Sequence, residues 1–293
     1  MASDRQDDGI QPTDHGRSAI IPIQSSIINS HAFTLIELLV VISIVMLLIA
    51  LLLPVLGRAR RNARAAVCLS RLHQSSLAFK MYTDTNEGRW FTADRDDDGR
   101  TGPQNWLGLV ASFWANTPGC MACPMAIVGW DGHSDYDAFT AWVGPNQSAA
   151  AMVRGEPVRG PVSYAFNNHV SCPGPDAAPD PRNPYWGTCD VKGAARVPVL
   201  FDCADESVYA IALAGPRPTE ALPMNDPKWL MCIDRHDGGI NMLFMDWSVR
   251  KVGLKELWTL KWHRDFDTAG PWTKAGGVEP EDWPQWMRRF KDY

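Results

Sequence analysis

Residues 33–56 read FTLIELLVVISIVMLLIALLLPVL, and Glu37 is the single charge among them. A helix needs about 20 apolar residues to cross the hydrocarbon of a bilayer, and this stretch is long enough. It is apolar on every side, unlike an amphipathic surface helix; a helix buried in a soluble core is the remaining alternative to a membrane span. A secretory signal peptide has a shorter apolar core, basic residues before it and a small-residue cleavage site after it. Here Asp4, Asp7, Asp8 and Asp14 outnumber Arg5 and Arg17 upstream, while Arg58, Arg60, Arg61 and Arg64 follow. The segment is therefore expected to stay in the mature chain.

Glu37 is the informative residue. An ionisable group inside a membrane helix is costly unless paired, and by default it marks a function. Cleavage between Ala32 and Phe33 would make Glu37 the fifth residue of the product. Its carboxylate could then pair with the new α-amino group of a neighbouring subunit, and a buried polar pair of that kind fixes register between helices.

The segment His31-Ala-Phe-Thr-Leu-Ile-Glu-Leu-Leu-Val-Val-Ile-Ser-Ile44 resembles the prepilin-type cleavage and methylation motif. That motif is shared by type IV pilins and by the pseudopilins of type II secretion systems. The resemblance implies that a prepilin peptidase cuts at Ala32–Phe33 and methylates the nitrogen of Phe33, with Glu37 in the assembly role. Pro54 also matches a family position, where loss of a helix hydrogen bond should kink or loosen the helix. Two departures are visible: Ala32 stands where Gly is usual, and the leader is long and acidic. Counting positive charges alone would place Arg58–Arg64 in the cytoplasm; the motif implies the opposite, a cytoplasmic leader and a periplasmic or surface-exposed body, with other pilin-like subunits and the inner membrane as partners.

Downstream, residues 57–82 keep a helical pattern, with Ala63, Val67, Leu69, Leu72, Leu77, Phe79 and Met81 at three- and four-residue steps. Thr83-Asp-Thr-Asn-Glu-Gly88 is a stop signal. The expected organisation is a leader over 1–32, an assembly half-helix over 33–56, an amphipathic half over 57–85 and a globular domain over 86–293. Short β-rich runs at Val162–Phe166, Val197–Phe201, Val208–Leu213, Gly239–Met245 and Ser248–Val252 are expected strands, the last two forming a hairpin around Asp246-Trp247. Strands after one long helix predict an α+β fold: a long, partly transmembrane helix packed on a domain with an antiparallel sheet. A formal net charge of −5, with no long basic tract in the body, argues against nucleic acid as a partner.

Candidate sites in the body are fewer. Asp94, Asp96 and Asp98 alternate ahead of Gly99, which opens a calcium-loop pattern, but the twelfth position is Asn105 instead of Glu; a solvated acidic turn is the alternative. Six of the seven cysteines, Cys120, Cys123, Cys172, Cys189, Cys203 and Cys232, lie in the body. Disulfides in an unspecified pairing and free buried thiols are both open. Cys120-Met-Ala-Cys123 has zinc-ribbon spacing, without a second Cys-x-x-Cys to complete four ligands.

Residues 235–249, RHDGGINMLFMDWSV, resemble the H-x9-D-G ending of many bacterial prepilin-motif proteins. His236 and Asp246 match, and Trp247 replaces the Gly that would permit positive φ cheaply. Tyr164-Ala-Phe-Asn-Asn168 and Val199-Leu-Phe-Asp202 resemble internal segments of the same group. His236 with Asp202, Asp234 or Asp246 invites a catalytic reading, but structural hydrogen bonding is preferred. No hydrolase, metalloprotease or phosphate-binding motif occurs, so no enzyme is expected. The tail carries Trp258, Trp262, Trp272, Trp283 and Trp286. Residues 254–262 and 283–290 read as short amphipathic helices, and the tryptophans as core packing first and as a stacking surface second. The functional expectation is a pseudopilin-like filament subunit; the alternative is a membrane-tethered surface module binding a glycan or a protein.

Overall fold

The computed structural model describes residues 34–93, 106, 121–126, 128–129, 139–141, 152–153, 156–157, 162–173, 184–204, 207–208, 215–220 and 230–293. The leader, the cleavage pair Ala32 and Phe33, the acidic loop with Asp94, Asp96 and Asp98, and Cys120 lie outside the described residues. Contacts divide the chain into two units, residues 1–52 and 53–293.

Helix α1, Leu35–Thr85, runs on through Pro54. In the first unit every described residue is exposed, among them Leu35 at 87%, Ile36 at 75% and Met46 at 67%. A continuous apolar surface of this kind needs lipid or another helix to cover it. Length and composition make α1 capable of crossing a membrane.

In the second unit α1 buries Cys68, Leu72, Ser75, Ser76, Ala78, Phe79 and Thr83. These residues recur at the three- and four-residue spacing of one helix face. Val67, Leu77 and Met81, which the hydropathy pattern also picks out, are instead exposed, at 46%, 51% and 57%. The difference has a plain cause. The Ser75 hydroxyl donates to the Arg71 carbonyl (3.1 Å), Ser76 to His73 (2.6 Å) and Thr83 to Phe79 (3.1 Å). Their hydrogen-bonding need is met within the helix, so these small side chains enter the core at little cost. The helix ends where Gly88, at φ +76°, turns its N–H back to the Thr83 carbonyl at 2.8 Å.

The body is built on strands β1 (Tyr164–Asn167), β2 (Pro198–Asp202), β3 (Ser207–Val208), β4 (Gly239–Phe244) and β5 (Val249–Gly253). Their order across the sheet is β5-β4-β2-β1-β3. The first four in that order pair antiparallel, and β3 adds parallel to β1. The fold is α+β and pilin-like, as the sequence predicts. β1, β2 and β4 are buried throughout because both faces are covered, whereas in the edge strand β5 only Val252 is buried. On one face Tyr164, Phe166, Leu200 and Leu243 pack with Leu72 and Phe79 of α1. On the other, Ala165, Phe201, Ile240, Met242 and Phe244 pack with the C-terminal tail.

Trp258, Trp262 and Trp283 are buried in that second core. Trp258 meets Trp283 edge-on at 5.3 Å, and Trp262 meets Phe201 edge-on at 5.1 Å. Trp272 and Trp286 pack against the same cluster. Instead of the expected amphipathic α-helices, the tail forms 3-10 turns at Leu254–Thr259 and Gln285–Met287.

Candidate functional site

Two places concentrate chemistry. The first is the start of α1. Thr34-Leu-Ile-Glu37 is a capping box, in which a hydroxyl and a carboxylate three residues apart satisfy each other's backbone donors. The Thr34 Oγ1 accepts from the Glu37 N–H at 3.2 Å, while Glu37 Oε2 accepts from the Thr34 N–H at 2.8 Å and from its hydroxyl at 2.9 Å. The carboxylate is thus engaged at the helix start, with a long apolar helix behind it. Residues 28–53 match the prokaryotic N-terminal methylation motif. No curated protein and no solved structure matches the chain. The motif implies processing by a prepilin peptidase and pilin-like assembly, and it points to a structural subunit. The apolar helix that follows the motif fits a single-pass, membrane-anchored, pilin-like protein.

The second place lies in the body, on the sheet face that α1 covers. Cys68 comes from α1, Cys123 from the segment Met121–Ala126, Asp202 from the end of β2 and His236 from the turn before β4. Their ligand-type atoms all lie within 4.8 Å of one another, and all four residues are buried. His236 Nε2 is 2.9 Å from Asp202 Oδ2 and 3.3 Å from Cys123 Sγ. Cys68 Sγ is 3.5 Å from Asp202 Oδ2.

Neighbours fix each member. Arg235 donates to Asp202 Oδ1 at 3.3 Å and to the Ser163 carbonyl at 3.0 Å, and both side chains of the Arg235–Asp202 pair are fully buried. The Asn241 N–H reaches Asp202 Oδ2 at 2.9 Å. Tyr164 donates its hydroxyl to Cys68 Sγ at 3.4 Å, and the Met125 N–H points at Cys123 Sγ at 3.4 Å. The Cys123 N–H donates to Ser163 Oγ at 2.7 Å, and Arg71 of α1 holds the same segment through the Ala122 carbonyl. The turn carrying His236 is shaped by Asp237 (φ +54°) and Gly238 (φ +83°), whose N–H is capped by Asp234 Oδ1 at 2.6 Å.

Electrostatics follow from burial and these contacts. Burial, reinforced by the Cys123 sulfur, holds the Cys68 thiol well above its usual range. Burial also opposes ionisation of Cys123, but hydrogen bonds to Cys68 and His236 bring its pKa down to about 7. The imidazolium of His236 is penalised by burial and rescued by Asp202 and Cys123, which raise its pKa to about 9. Burial would push Asp202 up; His236, Arg235 and the Asn241 N–H outweigh it and hold the carboxyl below the usual range. The donor set of two sulfurs, one imidazole and one carboxylate is one that zinc takes.

His236 and Asp246 stand at opposite ends of β4 and do not share a site. Asp246 caps the β4–β5 turn, accepting from the Ser248 N–H at 3.0 Å and its hydroxyl at 2.6 Å. Trp247 adopts φ +70°, the conformation for which Gly is the usual choice, and its ring lies 5.8 Å from that of Trp90. Cys123, Cys172, Cys189 and Cys232 carry free thiols, as does Cys68. None of the disulfides left open by the sequence is formed among the described residues. Cys172 instead donates to the Trp90 and Gly187 carbonyls at 3.1 and 3.0 Å.

The sequence places His236 in a signature, offers Asp202 as one of three acidic partners for it and puts Cys123 in a Cys-x-x-Cys pair, but it joins none of them to Cys68. The available signal was weak: a lone cysteine among the arginines and alanines of the outer half-helix.

Proposed function

We propose that the chain is a pseudopilin-like structural subunit of a type II secretion pseudopilus or a related pilus-like filament. The observation that carries this reading is the methylation motif over residues 28–53 running into a helix whose apolar side chains are exposed on every side. In the membrane that helix is covered by lipid; in a filament it is covered by the same helix of neighbouring subunits. Prepilin peptidase removes residues 1–32 on the cytoplasmic side and methylates Phe33, and the body stands on the periplasmic side of the inner membrane. Glu37, held by Thr34 in the single chain, exchanges that partner for the α-amino group of an adjacent subunit during assembly. Val67, Leu77 and Met81 share one stripe of α1 opposite its buried face, and they extend the apolar contact beyond the bilayer.

N-terminal sequencing of the mature protein from its native host tests the processing directly. An N-methylated Phe33 start is expected; recovery of the chain with residues 1–32 attached, or without the apolar stretch, overturns the reading. Replacing Glu37 with Ala should leave membrane insertion intact and abolish incorporation into filaments. Normal incorporation of that variant would exclude the pairing.

A further inference from the structure

We propose that Cys68, Cys123, Asp202 and His236 form a closed structural zinc site that clips α1 to the sheet. Zinc bonds of about 2.3 Å to sulfur and about 2.0–2.2 Å to nitrogen and oxygen place tetrahedral ligands roughly 3.3–3.8 Å apart. The observed separations are 3.3 Å from Cys123 Sγ to His236 Nε2 and 3.5 Å from Cys68 Sγ to Asp202 Oδ2. The His236 Nε2 to Asp202 Oδ2 contact is 2.9 Å, so these two ligands need to part by only a few tenths of an ångström.

Charge agrees with geometry. Two thiolates and a carboxylate are balanced by a divalent cation together with the buried guanidinium of Arg235, which already touches Asp202. A buried set of charges is tolerable only when it is neutral as a group and hydrogen-bonded.

The surroundings are those of a bound site. Tyr164 Oη and the Met125 N–H are donors aimed at the two sulfurs, and Arg235 and the Asn241 N–H are donors aimed at the carboxylate. Such outer donors orient ligands and stabilise thiolates around a metal.

Closure decides the role. Relative exposures are 0% for Cys68, 1% for Cys123, 0% for Asp202 and 5% for His236. Four protein ligands with no open position describe a structural zinc, not a hydrolytic one that keeps a water. The four ligands come from the helix, a loop, the end of β2 and the turn before β4, so one ion fastens the outer half of α1 to the domain at a point otherwise held by dispersion and a few hydrogen bonds. Sulfur and imidazole together favour zinc over calcium or magnesium, which take oxygen.

The test uses the full chain, extracted from membranes in detergent under reducing conditions. Elemental analysis is expected to find one zinc per chain, retained through gel filtration and released when a mercurial blocks the thiols. Exchange of zinc for cobalt should give thiolate-to-metal charge-transfer bands and the intense d–d bands of a tetrahedral centre. Cys68→Ser and Cys123→Ser should lose the metal, whereas Cys189→Ser, at a half-buried thiol outside the cluster, should keep it. Wild-type protein that holds no stoichiometric metal and gives no tetrahedral cobalt spectrum overturns the proposal. So does a Cys68–Cys123 disulfide found by peptide mapping of protein prepared without reductant from its native host. Because these readouts concern the wild-type chain, a variant that fails to fold does not shield the idea. The outcome is independent of whether filaments form.

Discussion

Replacing Phe79 with Ala removes the ring through which α1 grips the sheet. Phe79 is fully buried, with ring centroids 5.7 Å from Trp90 and 5.8 Å from Phe166. Truncation of a buried Phe costs about 3–5 kcal/mol, the transfer term plus the cavity left behind. In a body of this size each kcal/mol moves the melting midpoint by about 2–4 °C, so the expected loss is roughly 6–20 °C. Leu77 is the matched control: it sits within one turn of the same helix but is 51% exposed, and Leu77→Ala should change the midpoint by no more than about 2 °C. The assay is thermal unfolding of the full chain in detergent, followed by near-ultraviolet circular dichroism of the tryptophans. Equal destabilisation by the two substitutions would refute the assignment of the buried face, because Leu77 and Phe79 lie on different sides of the helix.

Other consequences can be measured in the same way. Trp247 holds a left-handed backbone conformation that costs an L-residue about 1–2 kcal/mol, so Trp247→Gly should be more stable than Trp247→Ala by about 1 kcal/mol; the reverse order would show that φ is not the constraint. The side chain of Lys255 is fully buried, with its ammonium 2.6 Å from Asp292 and over the ring of Trp283 at 4.9 Å. Asp292→Ala strands that charge and should cost on the order of 2–3 kcal/mol, and an unchanged urea midpoint would contradict the pairing. Burial depresses the pKa of His263, with Asp265 opposing and Lys261 assisting. Its folded pKa is below the unfolded value of about 6.5, so the unfolded chain binds the extra proton first and stability falls as pH drops below that value. His263→Gln should flatten this acid limb; an unaltered pH profile would assign the loss to other groups.

Much of the fold was legible in the order of residues. The strands at 164–167, 198–202, 239–244 and 249–253 fall within a residue or two of their expected runs, because β-branched and aromatic residues bounded by Gly, Pro and Asp leave little choice of structure. The helix stop at Thr83–Gly88 was equally plain. The tail reads as two amphipathic helices, yet its tryptophans dominate: large rings fitted onto a sheet face set the path of the chain, and only 3-10 turns remain at those positions. Hydropathy also misplaced part of the α1 interface, crediting Leu77 and Met81 with burial that Ser75 and Ser76 have. Hydropathy scores a hydroxyl as if it faced water, whereas these two are satisfied by the helix's own carbonyls.

The membrane-inserting segment and its processing motif are properties of contiguous sequence. Partition of a helix into lipid adds up along neighbouring residues, and a peptidase reads a short linear stretch, so neither needs a fold to be recognised. The Cys68–Cys123–Asp202–His236 cluster is of the other kind. Cys68 is 134 positions from Asp202, and Cys123 is 113 from His236. Only the packing of α1 over the sheet, with a loop and a turn tucked against β2, brings the ligand-type atoms of those four side chains within 4.8 Å of one another. Ligand convergence is a distance in space, and a linear sequence does not contain it until the chain has folded.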